Sequence, residues 1–91
     1  MTNKQKTERQ GITARDAALA AVAYLHDVAG MVVTPSVEEI ELDAKREYWF
    51  VTLGYFEGGQ SPFGGNKVYK LFKVDAHTGE VVVMKIREIK V

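Results

Sequence analysis

The segment from Tyr48 to Phe56 restricts how this chain can fold more than any other. It is rich in aromatic and β-branched residues, which is typical of a β-strand. Alternate side chains of a strand point to opposite faces, so Trp49, Val51, Leu53 and Tyr55 share one face, and Tyr48, Phe50 and Phe56 share the other. A strand that is apolar on both faces is typical of a central strand, and its side chains need cover on at least one face of the sheet.

The segment that precedes the strands has the spacing of an amphipathic helix. Thr13 is a suitable N-cap, Asp16 lies near the positive end of the helix, and Gly30 can end it in a left-handed conformation. At about 100° per residue, one face carries small apolar side chains, namely Ala14, Ala17, Ala18, Ala21, Val22, Leu25, Val28 and Ala29. A helix with such a face can lie close against a sheet.

Four segments after Gly30 read as strands, at residues 37–42, 48–56, 68–74 and 81–89. The short turns at 43–46 and 75–80 favour antiparallel neighbours. We therefore predict an α+β fold in which one N-terminal helix packs on a four-stranded antiparallel meander sheet, in the order α-β-β-β-β. Residues 1–12 are predicted to be a mobile tail, and residues 13–91 a single domain.

One helix cannot cover both faces of this sheet, which leaves a surplus of apolar surface. One interpretation is that sheet twist, the N-terminal tail and the long loop at 57–66 cover it. The other is a partner surface, most simply a second copy packed sheet to sheet. The candidate interaction residues are Tyr48, Phe50, Phe56, Met84 and Ile86, with Phe63 at the tip of the loop.

Composition narrows the classes of function. Twelve basic and twelve acidic residues cancel, so the chain has no bulk electrostatic reason to bind nucleic acid or an anionic membrane. The absence of cysteine excludes disulfides and thiolate chemistry and is compatible with a reducing compartment. The polar first ten residues lack the apolar region of a signal peptide. We expect a cytoplasmic protein that binds neither nucleic acid nor membrane.

No catalytic, cofactor or metal motif is complete. Gly59 and Gly64 have P-loop spacing, but the following lysine is missing and the loop joins two strands. Ser61 lacks the second glycine of a nucleophile elbow. His26 and His77 are too separated to suggest a metal site. We predict no catalytic residues, no cofactor and no metal, and a protein that is not an enzyme.

The segment Val74-Asp75-Ala76-His77-Thr78-Gly79-Glu80-Val81, together with the alanine-rich helix and the strand at 48–56, resembles the PepSY family of small domains. The resemblance covers roughly residues 13 to 89. It implies a helix packed on an antiparallel sheet, in a cystatin-like layout. It also implies a bacterial, non-enzymatic domain for which a role in restraining peptidases has been proposed.

Three functions remain open at this point. The first is a non-catalytic protein-interaction module, possessing a regulatory role and associating with itself through the open sheet face. The second is a small-ligand binder that uses space between helix and sheet, with the 57–66 loop as a lid. The third is a peptidase inhibitor or regulator.

Overall fold

The computed structural model describes residues 11–30, 33–56 and 66–88. One helix packs on a four-stranded antiparallel sheet in the order α-β-β-β-β, so the predicted fold is confirmed. The elements are α1 (Ala14–Ala29), β1 (Ser36–Leu42), β2 (Tyr48–Phe56), β3 (Lys67–Asp75) and β4 (Val81–Ile86). The sheet order β1-β2-β3-β4 follows the chain, so every strand pairs with its neighbour in sequence.

Both ends of α1 are fixed by local hydrogen bonds. At the start, the Thr13 hydroxyl accepts from the Asp16 amide at 3.1 Å, and the Asp16 carboxylate accepts from the Thr13 amide at 3.2 Å. This reciprocal capping box satisfies amides that the first turn leaves without helical partners. At the end, Gly30 takes a φ of 69° and donates its amide to the His26 carbonyl at 3.1 Å.

The core lies between α1 and one face of the sheet, which we call the covered face. It is built from fully or almost fully buried side chains of the helix, β2 and β3, namely Ala17, Ala21, Leu25, Val51, Leu53, Phe72 and Val74. The alanines let the helix lie directly on the strands. Val28 and Ala29, predicted to face inward, are exposed because the last turn of α1 does not reach the core.

The second face of the sheet, the open face, has no helix on it. Its residues follow from the strand register, because directly paired residues point to the same side. It comprises Ser36, Glu39 and Glu41 of β1; Tyr48, Phe50, Thr52, Gly54 and Phe56 of β2; Lys67, Tyr69, Leu71, Lys73 and Asp75 of β3; and Val83 and Lys85 of β4.

A β-bulge in β4 corrects the predicted position of two interaction residues. Val81 pairs with Val74, but Val83 pairs with Lys73, so Val82 is an extra residue in the ladder. Strict alternation placed Met84 and Ile86 with the residues of the open face. The bulge instead puts both on the covered face, where Met84 packs against the core. One inserted residue reverses the facing of every later side chain in the strand.

The predicted domain boundary at residue 13 is too late, since Ile12 belongs to the folded part. Its amide donates to the Ala76 carbonyl at 2.8 Å, and its side chain packs against the core. Its carbonyl accepts a hydrogen bond from the Trp49 indole at 3.3 Å. Residues 1–10 of the predicted tail lie outside the described residues, as do residues 57–65 of the predicted loop.

Candidate functional site

Aromatic side chains on the open face are partly covered by lysines from the neighbouring strand. Tyr48, Phe50 and Phe56 are half-buried there. The Lys73 ammonium lies 4.3 Å from the centre of the Tyr48 ring. The Lys67 ammonium lies 5.6 Å from the ring centre of Phe56 and at the same distance from that of Tyr69. The aliphatic stems of the lysines can shield ring surface while the charges stay in water.

A polar bridge crosses the open face above Gly54. Glu38 on β1 and Lys67 on β3 form an ion pair at 2.9 Å, and the Ser36 hydroxyl donates to the same carboxylate oxygen at 2.6 Å. These two contacts, the serine first, lower the pKa of Glu38, and the bond to Glu38 raises the pKa of Lys67. A Cβ at position 54 would lie 2.6 Å from that oxygen. Glycine is thus what lets the bridge lie flat on the sheet.

A second polar bridge, from the end of β4, crosses the middle of the open face. The Arg87 guanidinium donates to the Glu39 carboxylate of β1 at 2.5 Å and to the Thr52 hydroxyl of β2 at 2.6 Å. Thr52 is only 1% exposed, although it lies on the face without a helix. The arginine therefore closes the centre of the open face with directional, charged contacts.

The acidic residues of β1 make separate contacts on the open face. Glu39 and Glu41 share that face, since they pair with Thr52 and Phe50. A bulge between Val37 and Glu39 makes Glu38 an extra residue in the pairing. Its carboxylate reaches across to Lys67, on the same face as the Glu39 contact with Arg87. Glu38 and Glu39 therefore belong to two different bridges and do not form a carboxylate pair.

Four charged residues of the open face, Glu41, Lys73, Asp75 and Lys85, form no ion pair with another described residue, and two of them lie on its edge strands. Glu41 lies on the β1 side and Lys85 on the β4 side, and both are exposed. They occupy adjacent cross-strand rows, since Glu41 pairs with Phe50 and Lys85 pairs with Leu71. The open face thus ends in an unpaired negative charge at one edge and an unpaired positive charge at the other.

Of the six predicted interaction residues, the structure groups three. Tyr48, Phe50 and Phe56 share the open face, whereas Met84 and Ile86 lie on the covered face, Ile86 being 72% exposed. Phe63 lies outside the described residues. Sequence reasoning missed the other members of the open face that make its contacts, namely Thr52, Gly54, Lys67, Tyr69, Leu71 and Arg87. Their roles depend on cross-strand register, for which the sequence has no direct signal.

The closing hairpin owes its shape to turn chemistry. The Asp75 carboxylate accepts from the His77 and Thr78 amides at 2.7 and 2.9 Å. These bonds, that of Thr78 first, lower the pKa of Asp75. Gly79 adopts a φ of 83° and donates its amide to the Asp75 carbonyl at 2.9 Å. The Asp75 side chain therefore holds the backbone of the turn, whereas the His77 side chain is exposed.

Comparison with family models, with curated proteins and with solved structures gives no match. Within residues 11–30, 33–56 and 66–88, no three His, Asp or Glu side chains are grouped so that they could hold a metal ion. The helix in these ranges is also too short and too polar to cross a membrane. Any statement about function therefore rests on the chain's own geometry, above all on the open face.

Proposed function

We propose that the domain is a non-catalytic protein-interaction module that associates with a second copy of itself through the open face. The observation that carries this proposal is the charge gradient across that face. Glutamates line the β1 side, at positions 38, 39 and 41, and basic residues outnumber the single acidic residue, Asp75, on the β3 and β4 side, at positions 67, 73, 85 and 87. Such a surface is complementary to itself.

The direction of the gradient selects one arrangement of two copies. A two-fold axis that runs parallel to the strands, between two stacked open faces, places β1 of each copy over β4 of the other. An axis perpendicular to the strands in the same plane would stack β1 on β1 and oppose glutamates. Only the first arrangement brings Glu41 toward Lys85 of the second copy, and it keeps the strands nearly aligned, as stacked sheets prefer.

The apolar residues of the open face fit this arrangement as well. β2 of one copy would lie over β3 of the other, so Phe50 would meet the Leu71 and Lys73 region. Four strands spaced about 4.8 Å apart and about six residues long cover a face of roughly 400 Å². Two such faces would bury about 800 Å² in total, which is below the usual range for stable interfaces, so we expect weak, concentration-dependent association.

A charge-swap experiment tests the proposal. Glu41→Lys and Lys85→Glu each oppose like charges in a homodimer, whereas a mixture of the two variants restores opposite charges at both contacts. Sedimentation equilibrium over a concentration series should show association of the wild type, loss of association in each variant, and its return in the mixture. Arg15→Glu, on the exposed side of α1, is the matched control and should associate like the wild type.

Two results would contradict the proposal. A wild-type chain that stays monomeric throughout the concentration series would remove it. Variants that associate as well as the wild type would show that the open face is not the interface.

The PepSY-like assignment belongs to the same proposal. It is supported by the hairpin sequence and by the helix-on-sheet layout. A regulatory role would follow from binding another protein, not from catalysis.

A further inference from the structure

A cleft lies at the end of the sheet where the β1–β2 and β3–β4 turns meet the segment before α1. Its volume is about 630 Å³. Its lining comes from residues 11–13, from Leu42 and the turn after it, from Trp49, and from Ala76 and His77. Volumes of this size are typical of sites for small molecules. The cleft is at the opposite end of the sheet from Phe56 and Lys67 and is separate from the open face.

The walls of the cleft are held together by backbone hydrogen bonds between the three segments. The Ala76 amide donates to the Glu47 carbonyl at 2.9 Å, which joins the two turns. The Ile12 amide donates to the Ala76 carbonyl at 2.8 Å, which joins the segment before the helix. The Asp43 carboxylate accepts from the Glu47 amide at 2.8 Å and fixes the first turn. The cleft is therefore formed before any ligand arrives.

Three basic residues line this cleft, and Asp75 is an acidic neighbour of one of them, His77. Lys45, Arg46 and His77 all line it, and none of their side chains forms an ion pair or a hydrogen bond with another residue in the described part of the chain. Glu47 is the single acidic residue in the lining. In a chain whose formal net charge is zero, this is a local excess of positive charge.

The backbone at Arg46 is also unusual. Its φ is 61°, and it is the only residue other than glycine with a positive φ in the described ranges. Glycine or asparagine occupies such a position with less strain. The turn therefore has an arginine that lines the cleft, at a position where backbone preference favours glycine or asparagine.

We propose that this cleft binds a small organic anion, with a carboxylate or phosphate group at the basic rim and an apolar body against the floor. Lys45 and Arg46 supply the positive charges, and His77 supplies a further hydrogen-bonding group. Leu42, Ile12 and the Trp49 ring supply apolar surface. Arginine binds both headgroups through paired N–H donors, so the two classes share one recognition chemistry.

Trp49 is the single tryptophan of the chain, so its fluorescence reports on the cleft directly. Hexanoate and hexyl phosphate are suitable probes because they do not absorb with the indole. Hexanol and hexylammonium are the matched neutral and cationic controls. We expect a saturable fluorescence change with one or both anions and none with the controls. The two anionic arms distinguish a carboxylate ligand from a phosphate ligand.

Variants separate the charge from the fold. Arg46→Asn keeps a residue that tolerates positive φ and removes the charge, so it should weaken anion binding about tenfold, the usual effect of losing one charged hydrogen bond. Lys45→Gln should weaken it similarly. Lys70→Gln, on β3 away from the cleft and opposite Leu53, should leave it unchanged. Any of three results would overturn the proposal: hexanol binds as well as the anions, Arg46→Asn keeps full affinity for the anion, or the fluorescence change does not saturate up to about 10 mM anion.

Discussion

On the covered face, Phe72 and Val74 of β3 are fully buried beneath α1, whereas their neighbours on the open face, Leu71 and Lys73, are only half-buried. The covered face is closed by apolar side chains that pack on the helix. The open face is closed by polar bridges that start on one strand and end two or three strands away. One sheet thus uses two kinds of stabilisation, the first non-directional and the second dependent on the positions of particular atoms.

The largest expected effect comes from removing a ring on the covered face. Phe72 is 0% exposed, and its ring meets the edge of the Tyr24 ring with centres 6.4 Å apart. Phe72→Ala should lower the free energy of unfolding by about 3–5 kcal/mol through lost burial and the cavity left behind. Urea denaturation followed by circular dichroism measures the loss.

Phe50→Ala is the matched comparison, since it removes the same ring from the half-buried open face of the adjacent strand. We expect less than half of the Phe72 loss. If Phe72→Ala does not fold, Phe72→Leu measures the same site with a smaller truncation. Equal losses at positions 72 and 50 would mean that the two faces are buried alike in solution, which would fit a partner or another segment covering the open face.

A smaller effect is expected at the bridge over the centre of the open face. Arg87→Met keeps an aliphatic side chain but leaves the buried Thr52 hydroxyl without its donor. A buried polar group that loses its partner costs on the order of 1 kcal/mol or more. Adding Thr52→Val should recover part of this loss, because the orphaned hydroxyl is then gone. Lys85→Met is the control, because Lys85 lies on β4 and has no ion pair in the described structure, and it should change the free energy of unfolding little. A loss as large as that of Arg87→Met would show that the bridge contributes nothing specific.

The covered face could be predicted from the sequence because it depends only on periodicity. The alanine stripe, the capping residues Thr13 and Asp16, and the alternation in β2 are all visible as spacing. These features predicted the helix and the β2 bounds, and the short turns at 43–46 and 75–80 predicted the sheet order. Burial by a helix tolerates small errors in register, which is why the fold could be predicted before any contact was known.

The open face could be predicted only in part. Tyr48, Phe50 and Phe56 were found from alternation in a strand that has no bulge, whereas Met84 and Ile86 were misplaced by the bulge at Val82. Bulges have no reliable sequence signature, and each one reverses the facing of the residues that follow. The bridges were missed for a related reason: Arg87 and Glu39 are 48 residues apart, and only the three-dimensional register brings them together.

The smallest effect on stability, and the most informative about the bridge above Gly54, is expected from Gly54→Ala. The added Cβ would meet the ends of the Glu38 and Lys67 side chains, at 2.6 and 2.9 Å. Both are flexible chain ends, so they should swing away and separate. Alanine is a better strand residue than glycine, which partly offsets the loss of the bridge. The net change in the free energy of unfolding should therefore stay below about 1 kcal/mol. The loss should appear instead in the titration of Glu38, whose pKa should return toward its ordinary value when followed by NMR.

The same substitution has a predictable pH dependence. The lowered pKa of Glu38 means that its contribution to stability is complete above the unfolded-state pKa and is lost as the pH falls through the folded-state pKa. The wild type should therefore lose more stability on acidification than Gly54→Ala does. Asp75 is the internal control: its lowered pKa comes from turn amides far from Gly54, so it should titrate alike in both proteins. A Glu38 pKa that stays low in Gly54→Ala would show that the Ser36 hydroxyl alone holds the carboxylate. In that case the ion pair with Lys67 would not be needed to hold Glu38, and one of the contacts across the open face would be lost without effect on the carboxylate.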